Sequence, residues 1–224
     1  MTIILILIGI ILSLLFSFLL YPTLIITIEN ASNLKNLLGD KLITQMILLI
    51  IMILTWLLIM NNCHSNIESL IIGILSLLLW VIAFIDYFSY KIPLIYLIMS
   101  FILGIIYLVF INPISYVLTS ILIAILFFII ITLLSYIVKK TLMGLGDLLL
   151  IIVLSFFLNW TSLLLVIGIA SLLGIIKYVL LKIFFNRKEK IFPFGPYLVI
   201  SFIVVFLYHE CILSIYIGLL RGIL

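Results

Sequence analysis

The stretch YIVKKTLMGLGDLLL, residues 136–150, places two lysines, two glycines and an aspartate between two long apolar segments. The flanking segments are so rich in Leu and Ile that only lipid or a protein core would accommodate them. The aspartate, Asp147, stands directly before one of these runs. Long apolar runs and short polar breaks alternate along the rest of the chain as well, which is typical of a protein that crosses a membrane several times.

The composition excludes a soluble protein. Of the 224 residues, 68% are hydrophobic and 8% are charged, whereas a soluble domain is about 45–50% apolar and about 25% charged. No polar segment is long enough for a soluble catalytic or nucleic-acid-binding domain, so we expect one integral-membrane domain over residues 1–224 and no nucleic-acid partner. Cys63 and Cys211 form no C-x-x-C pair, so a disulfide scaffold and a cysteine zinc site are both unsupported.

The polar breaks predict an all-α bundle of about eight transmembrane helices, because a bilayer core of about 30 Å requires about 20 apolar residues in a helix. The sixth span is shorter than that, so residues 147–181 could instead form one broken element and reduce the total to seven. We expect the first span to be a retained helix, since no basic region precedes it and no small-residue cleavage site follows. The expected spans are 3–28, 42–60, 67–86, 93–111, 114–138, 147–158, 161–181 and 195–218.

The basic residues predict the orientation of the helices. Nine of the eleven fall in the connections after the first, third, fifth and seventh spans, whereas the alternate connections hold none. By the positive-inside rule the basic connections face the cytoplasm, and both termini lie outside. The run KIFFNRKEK is predicted to anchor at anionic lipid. The basic residues of these connections are Lys35, Lys41, Lys91, Lys139, Lys140, Lys182, Arg187, Lys188 and Lys190.

Aromatic residues are predicted to mark the two membrane surfaces. Trp56 and Trp160 are expected in the outer aromatic belt, and Tyr87, Tyr90 and Tyr197 in the inner one. His64 and the pair His209–Glu210 are expected to be structural, because two histidines on different elements make a poor metal site.

Two of the seven acidic residues are candidates for a site. Asp86 ends the third span, in WVIAFIDYFSYKIP, and Asp147 opens the sixth, in MGLGDLLL. Since the third span runs toward the cytoplasm and the sixth runs away from it, both aspartates are expected near the cytoplasmic face. An ionisable residue at the edge of a membrane bundle is a functional candidate by default. For a lone aspartate, a helix cap or an interfacial charge is the ordinary explanation.

The residues around the aspartates favour a paired site. Gly144 and Gly146 remove side chains beside Asp147, which lets the loop take positive φ and lets another backbone approach closely. Two carboxylates brought together cannot both ionise easily and would share a proton, so that they activate water against an amide carbonyl. Pro93 rigidifies the start of the fourth span. As a hypothesis, Asp147 at a helix N-terminus would be the ionised base, and Asp86 at a helix C-terminus the protonated acid.

Three segments resemble a known family. IDYFSYKIP and GLGD resemble the two motifs of the bacterial type IV prepilin peptidases, integral-membrane aspartic peptidases of the GxGD type, and IFPFGPYL at 191–198 resembles their P-F-G-P segment near the last helix. The resemblance covers residues 68–200. It implies that Asp86 and Asp147 are the catalytic pair. The residues it places in support of the site are Pro93, Gly144, Gly146, Pro193, Phe194, Gly195 and Pro196.

By this resemblance the chain would be an aspartic endopeptidase of the bacterial plasma membrane that cuts the leader from type IV prepilin or pseudopilin precursors at the cytoplasmic face. Many bacterial members also have a cysteine-rich zinc loop and N-methylate the product with S-adenosylmethionine. The corresponding loop here, ENASNLKNLLGDK at 29–41, has no cysteine. No metal and no cofactor are therefore expected, and N-methylation is unsupported. Other departures from the family pattern are Leu94 after Ile-Pro and Leu148 and Leu149 after GLGD.

The sequence leaves two alternative functions open. The presenilin and signal-peptide-peptidase class shares GLGD, but its Tyr-Asp and Pro-Ala-Leu motifs are absent, since Ile85 precedes Asp86 and PFGP stands in the third motif. A transporter or channel could use Asp86 and Asp147 as proton or cation ligands, because short and broken helices are typical of transporters. Cleavage of a prepilin distinguishes the peptidase from the transporter.

Overall fold

Eight helices make up most of the described part of the chain, which confirms the predicted all-α membrane bundle. A computed structural model describes residues 2–27, 41–63, 65–111, 114–185 and 193–223, and no β-strand occurs among them. The helices are α1 Thr2–Thr27, α2 Lys41–Asn62, α3 Asn66–Ser89, α4 Leu94–Phe110, α5 Ile114–Val138, α6 Leu145–Leu154, α7 Trp160–Phe185 and α8 Gly195–Ile223.

Several sequence predictions lie outside the described residues, among them those for the loop at 29–40, His64 and the Asn112–Pro113 turn. Part of the basic run after the seventh span, at residues 186–190, also lies outside them.

Hydropathy located the helices to within about five residues, and the ends of α6, α7 and α8 differ most from the prediction. Helix α6 has 10 residues and ends at Leu154, so the predicted end at residue 158 was wrong. Residues 155–158 form turns, and the Ser155 carbonyl accepts a hydrogen bond from the Ser120 hydroxyl at 2.9 Å. Asn159 then caps α7 by accepting the Ser162 N–H at 2.9 Å. Residues 145–185 are therefore two helices, which excludes the alternative of one broken element.

Five of the described helices are long and apolar enough to cross a membrane. The apolar parts of the other three are shorter, at Ile4–Phe18, Leu94–Phe110 and Leu145–Leu154. At 1.5 Å per residue, a helix as short as α6 spans about 15 Å, roughly half of a bilayer core. The two ends of α6 therefore cannot both lie at a surface of the bilayer core. The five long spans are Gln45–Asn62, Asn66–Ser89, Val117–Val138, Trp160–Ile183 and Gly195–Ile212.

Helix α3 is the centre of the bundle. It packs against α1, α2, α4 and α8, and 67% of its apolar span is buried, compared with 6% for α5. Ile72, Leu75 and Ile82 of α3 are completely enclosed. Helix α5 instead exposes residues such as Leu126 and Ile129, which lipid solvates without cost. The central position of α3 brings its C-terminal end, with Asp86, into contact with several other elements.

Trp56 lies inside the bundle, so its predicted place in the outer aromatic belt was wrong. Its side chain is 1% exposed and packs against Gly9 of α1 and Gly73 of α3, where any Cβ would overlap the indole ring. The two glycines therefore create the space that this large side chain occupies between three helices. Trp160, by contrast, is exposed at the start of α7, where a belt residue is expected.

We expect Gly73→Ala to destabilise the protein. The new Cβ would lie 2.6 Å from Cζ3 of Trp56, and overpacking of this kind costs about 1–3 kcal/mol. The measurement is thermal unfolding of the purified protein in detergent, with a lowered Tm as the expected result. Gly168→Ala on α7 is the matched control, because its Cβ would meet nothing within 4 Å and alanine favours the helix. An equal change of Tm in both variants would contradict this packing.

Candidate active site

Three helix ends converge on one cavity of about 730 Å³. The C-terminal end of α3 and the N-terminal ends of α6 and α8 meet there, and both Asp86 and Asp147 line the cavity. The structure thus brings together the two aspartates that the sequence analysis singled out. Other residues that line the cavity are Tyr90, Thr141, Met143, Leu145, Pro193 and Phe194.

Asp86 is almost completely buried and is held by the start of α8. Its side chain is 4% exposed, and its Oδ2 accepts a hydrogen bond from the Gly195 N–H at 3.0 Å. The first N–H groups of a helix have no partner within the helix, so this carboxylate takes up a donor that would otherwise be unsatisfied. A Cβ at position 195 would lie 2.7 Å from Oδ2. Residue 195 is therefore glycine because the carboxylate approaches its backbone so closely.

The P-F-G-P segment builds the N-terminus of α8. The Phe194 carbonyl accepts the N–H groups of Tyr197 and Leu198 at 3.1 and 3.2 Å, which makes Phe194 the residue that precedes the helix. Gly195 and Pro196 then occupy the first turn, where a proline removes no intrahelical hydrogen bond. The segment therefore points the Gly195 N–H at Asp86 and leaves Phe194 on the cavity wall.

Asp147 caps its own helix. It is the third residue of α6, and the preceding Gly144 is the N-cap, with φ −66° and ψ 142°. The Gly144 N–H hydrogen-bonds the Asp147 carboxylate, which is the contact that an acidic residue makes in a capping box. The structural explanation for this aspartate is therefore correct in part. Its Oδ1 is buried and has no protein hydrogen-bond partner, so capping does not satisfy the whole carboxylate.

The sequence analysis suggested two roles for the glycines beside Asp147, a positive φ and the close approach of other groups. The structure supports only the close approach. Gly144 has a negative φ, and a Cβ there would lie 3.1 Å from Asp147 Oδ2. A Cβ at Gly146 would lie 2.9 Å from the Cβ of Ile92. Pro93, which precedes α4 with φ −73°, does not appear among the cavity residues. It fixes the segment from which Ile92 packs against the first turn of α6.

Tyr90 is a residue of this site that the sequence analysis assigned only to an aromatic belt. Its backbone is left-handed, with φ 56°, and its N–H bonds the Asp86 carbonyl at 2.8 Å and so ends α3. The Ser89 hydroxyl holds the following turn by accepting the Lys91 N–H. Left-handed backbone at a residue other than glycine is uncommon and occurs often at functional sites. Glycine would have marked such a turn in the sequence, but tyrosine gives no signal of it.

The two carboxylates lie close enough to interact electrostatically. Each also meets a helix N-terminus, Asp147 that of α6 and Asp86 that of α8. The two helix N-termini therefore favour the ionised form of both carboxylates and do not distinguish the base from the acid, so that assignment stays a prediction. Within the described residues, no three His, Cys, Asp or Glu side chains form a group that could hold a metal ion.

The pair His209–Glu210 is not part of this site. His209 lines a separate cavity of about 220 Å³ together with Tyr107 and Asn159. The Tyr107 hydroxyl contacts Glu68 Oε1 at 3.4 Å, and Glu68 lies in the first turn of α3. This polar group is thus at the end of α3 opposite to Asp86.

The comparison with protein families gives a match. Residues 72–180 match the model of the type IV leader peptidase family, and this segment contains both Asp86 and Asp147. No curated protein matches the chain, and no solved structure does. The match supports a peptidase in general terms. Together with the helical membrane bundle, the match over residues 72–180 supports a type IV prepilin peptidase-like protein.

Proposed function

We propose that the chain is an aspartic endopeptidase that removes the leader from type IV prepilin or pseudopilin precursors at the cytoplasmic face of a bacterial plasma membrane. The observation that carries the proposal is that Asp86 and Asp147, which lie on two helices far apart along the chain, line one cavity. The family match supplies the reaction class, which is hydrolysis of a leader peptide bond.

The proposed reaction uses the two carboxylates and one water molecule. The ionised aspartate takes a proton from the water, whose oxygen attacks the carbonyl carbon of the scissile amide, while the protonated aspartate donates its proton to the carbonyl oxygen. The amide nitrogen then takes the proton held by the first aspartate as the C–N bond breaks, and a hydroxyl of the collapsing gem-diol returns its proton to the second aspartate, so the dyad again holds one shared proton. Asp147 is kept as the proposed base. One oxygen of Asp86 accepts the Gly195 N–H, and Asp86 is the proposed acid.

The cavity has room for a peptide segment. One water molecule takes up about 30 Å³ of liquid volume, so a cavity of about 730 Å³ holds far more than the attacking water. Tyr90, Met143 and Phe194 give it apolar walls beside the two carboxylates. A prepilin has a polar leader followed by an apolar helix. A site at the ends of three membrane helices would hold the junction between the two, with the leader in water and the helix in lipid.

The packing below the cavity favours a peptidase over a transporter or channel. An ion pathway needs polar groups or water along its length. Ile82 of α3, Leu150 of α6 and Phe202 of α8 lie one or two turns from the cavity, and all three are apolar and completely buried in one cluster. The match of residues 72–180 to the type IV leader peptidase family favours that family over the presenilin-like proteases. That distinction also depends on Ile85 and on the PFGP segment.

We expect Asp86→Asn and Asp147→Asn each to lower prepilin cleavage by on the order of 10³-fold or more, because both members of a dyad are needed. The measurement is mass spectrometry of a prepilin co-expressed with each variant, which reports the cleavage site and any N-methylation together. Glu68→Gln is the matched control, since Glu68 lies at the opposite end of α3. Near-normal cleavage by Asp86→Asn alone would contradict the shared proton, and cleavage by both variants would contradict the peptidase.

Gly195→Ala is expected to lower kcat by about 10- to 100-fold while the protein stays folded. The new Cβ would stand 2.7 Å from Asp86 Oδ2 and displace the carboxylate, and a displacement of about 1 Å at a reacting group has this magnitude. Cleavage of a prepilin by purified protein in lipid nanodiscs measures the effect, with Gly168→Ala as the control. An unchanged kcat would show that the contact between Gly195 and Asp86 is not needed.

The cytoplasmic location of the site predicts the labelling of single cysteines by a membrane-impermeant thiol reagent. In a background with Cys63→Ser and Cys211→Ser, we expect Lys140→Cys to react only from the cytoplasmic side and Asn62→Cys only from outside. Both positions are exposed, and they lie at the ends of α5 and α2 that the positive-inside rule assigns to opposite faces. The reverse pattern would place the site on the outer face.

A further inference from the structure

Lys177 is a charged residue within the apolar span of α7, a position that the sequence analysis passed over. An ammonium group within a membrane-spanning segment is costly and is retained where it has partners. Here its Nζ lies 5.1 Å from the centre of the Tyr87 ring and 5.8 Å from that of Tyr197. Both distances are within the range of a cation–π interaction, which strengthens as the groups are withdrawn from water. We refer to these three residues as the lysine clamp.

The lysine clamp joins the helices that form the site. Tyr87 directly follows Asp86 on α3, and Tyr197 is in the first turn of α8, two residues after Gly195. Lys177 itself is eight residues before the end of α7 at Phe185. The clamp therefore connects α3 with α8 next to the hydrogen bond between Gly195 and Asp86.

Lys177 is not described as lining the cavity of Asp86 and Asp147. The same holds for Tyr87 and Tyr197, the other two clamp residues. An effect of Lys177 on the reaction would consequently pass through the helices that its ammonium group holds. The contact that depends most directly on their relative position is the 3.0 Å hydrogen bond from Gly195 to Asp86.

We propose that Lys177 is a positioning residue, which holds the N-terminus of α8 against the C-terminal end of α3 so that the Gly195 N–H stays on the Asp86 carboxylate. This inference rests on the proposed peptidase function for its consequence in catalysis. The clamp itself is independent of that function, since it concerns only the contact of three side chains.

The kinetic test compares substitutions of Lys177 in prepilin cleavage by purified protein in nanodiscs. Lys177→Met is expected to lower kcat by about 10- to 100-fold with little change in KM, because the dyad and not the substrate site is displaced. Lys177→Arg should retain most of the activity, since a guanidinium also stacks on aromatic rings. Lys182→Met, an exposed lysine on the same helix, is the matched control. Unchanged kcat in Lys177→Met, or equal loss in Lys177→Arg, overturns the proposal.

The tyrosine side of the clamp gives a second kinetic comparison. Tyr87→Phe keeps the ring and should stay active, whereas Tyr87→Leu should lose activity as Lys177→Met does. The double variant Lys177→Met with Tyr87→Leu should be no worse than Lys177→Met alone, because the contact that Tyr87→Leu removes is already lost in Lys177→Met. Fully additive losses would show that the two residues act separately and would contradict the clamp.

Hydrogen exchange separates failure of this inference from failure of the proposed function. Backbone exchange in the segment 194–198, measured by mass spectrometry on the full-length protein, should be faster in Lys177→Met than in the wild type and unchanged in Lys182→Met. Faster exchange with an inactive wild type would retain the clamp and reject the peptidase. Unchanged exchange in Lys177→Met would reject the clamp whether or not the wild type cleaves a prepilin.

Discussion

The hydrogen bond from the Gly195 N–H to Asp86 is the contact on which the architecture of the site depends. A carboxylate at the edge of an apolar bundle needs a donor, and the start of a helix has free N–H groups to offer. The chain meets this requirement by ending α3 and beginning α8 at the same place. The P-F-G-P segment follows from it, since glycine admits the carboxylate and proline begins the helix without losing a hydrogen bond.

The same principle applies to Asp147, whose own helix supplies the donor. The Gly144 N–H reaches its carboxylate at the start of α6, and this start lies at the same cavity as the ends of α3 and α8. The two aspartates therefore share one cavity, although each is stabilised by a different helix N-terminus. This arrangement explains how an apolar bundle tolerates two carboxylates close together, and it leaves one oxygen of Asp147 without a protein partner.

The sequence predicted the helices and the convergence of the two aspartates, because hydropathy and the alternation of basic connections are strong signals in a membrane protein. The sequence did not predict the contacts between helix faces. From the sequence, Trp56 was predicted to be a belt residue, whereas in the structure its ring packs between Gly9 and Gly73. In the sequence, Lys177 is one charge within a long apolar span, and only the structure shows its contacts with the two tyrosine rings. The early end of α6 is accompanied by a tertiary contact from Ser120 to Ser155, and the left-handed turn at Tyr90 has no glycine to mark it in the sequence.

The central claim is that Asp86 and Asp147 face each other across one cavity in the membrane-embedded protein. Cross-linking tests it most directly, with Asp86→Cys and Asp147→Cys combined in a background without other cysteines and a short bifunctional thiol reagent added to native membranes. The account predicts a bridge between the two positions, and none between Glu68→Cys and Asp147→Cys. If a monofunctional reagent alkylates both thiols of the first pair and the bifunctional reagent never joins them, the paired site does not exist.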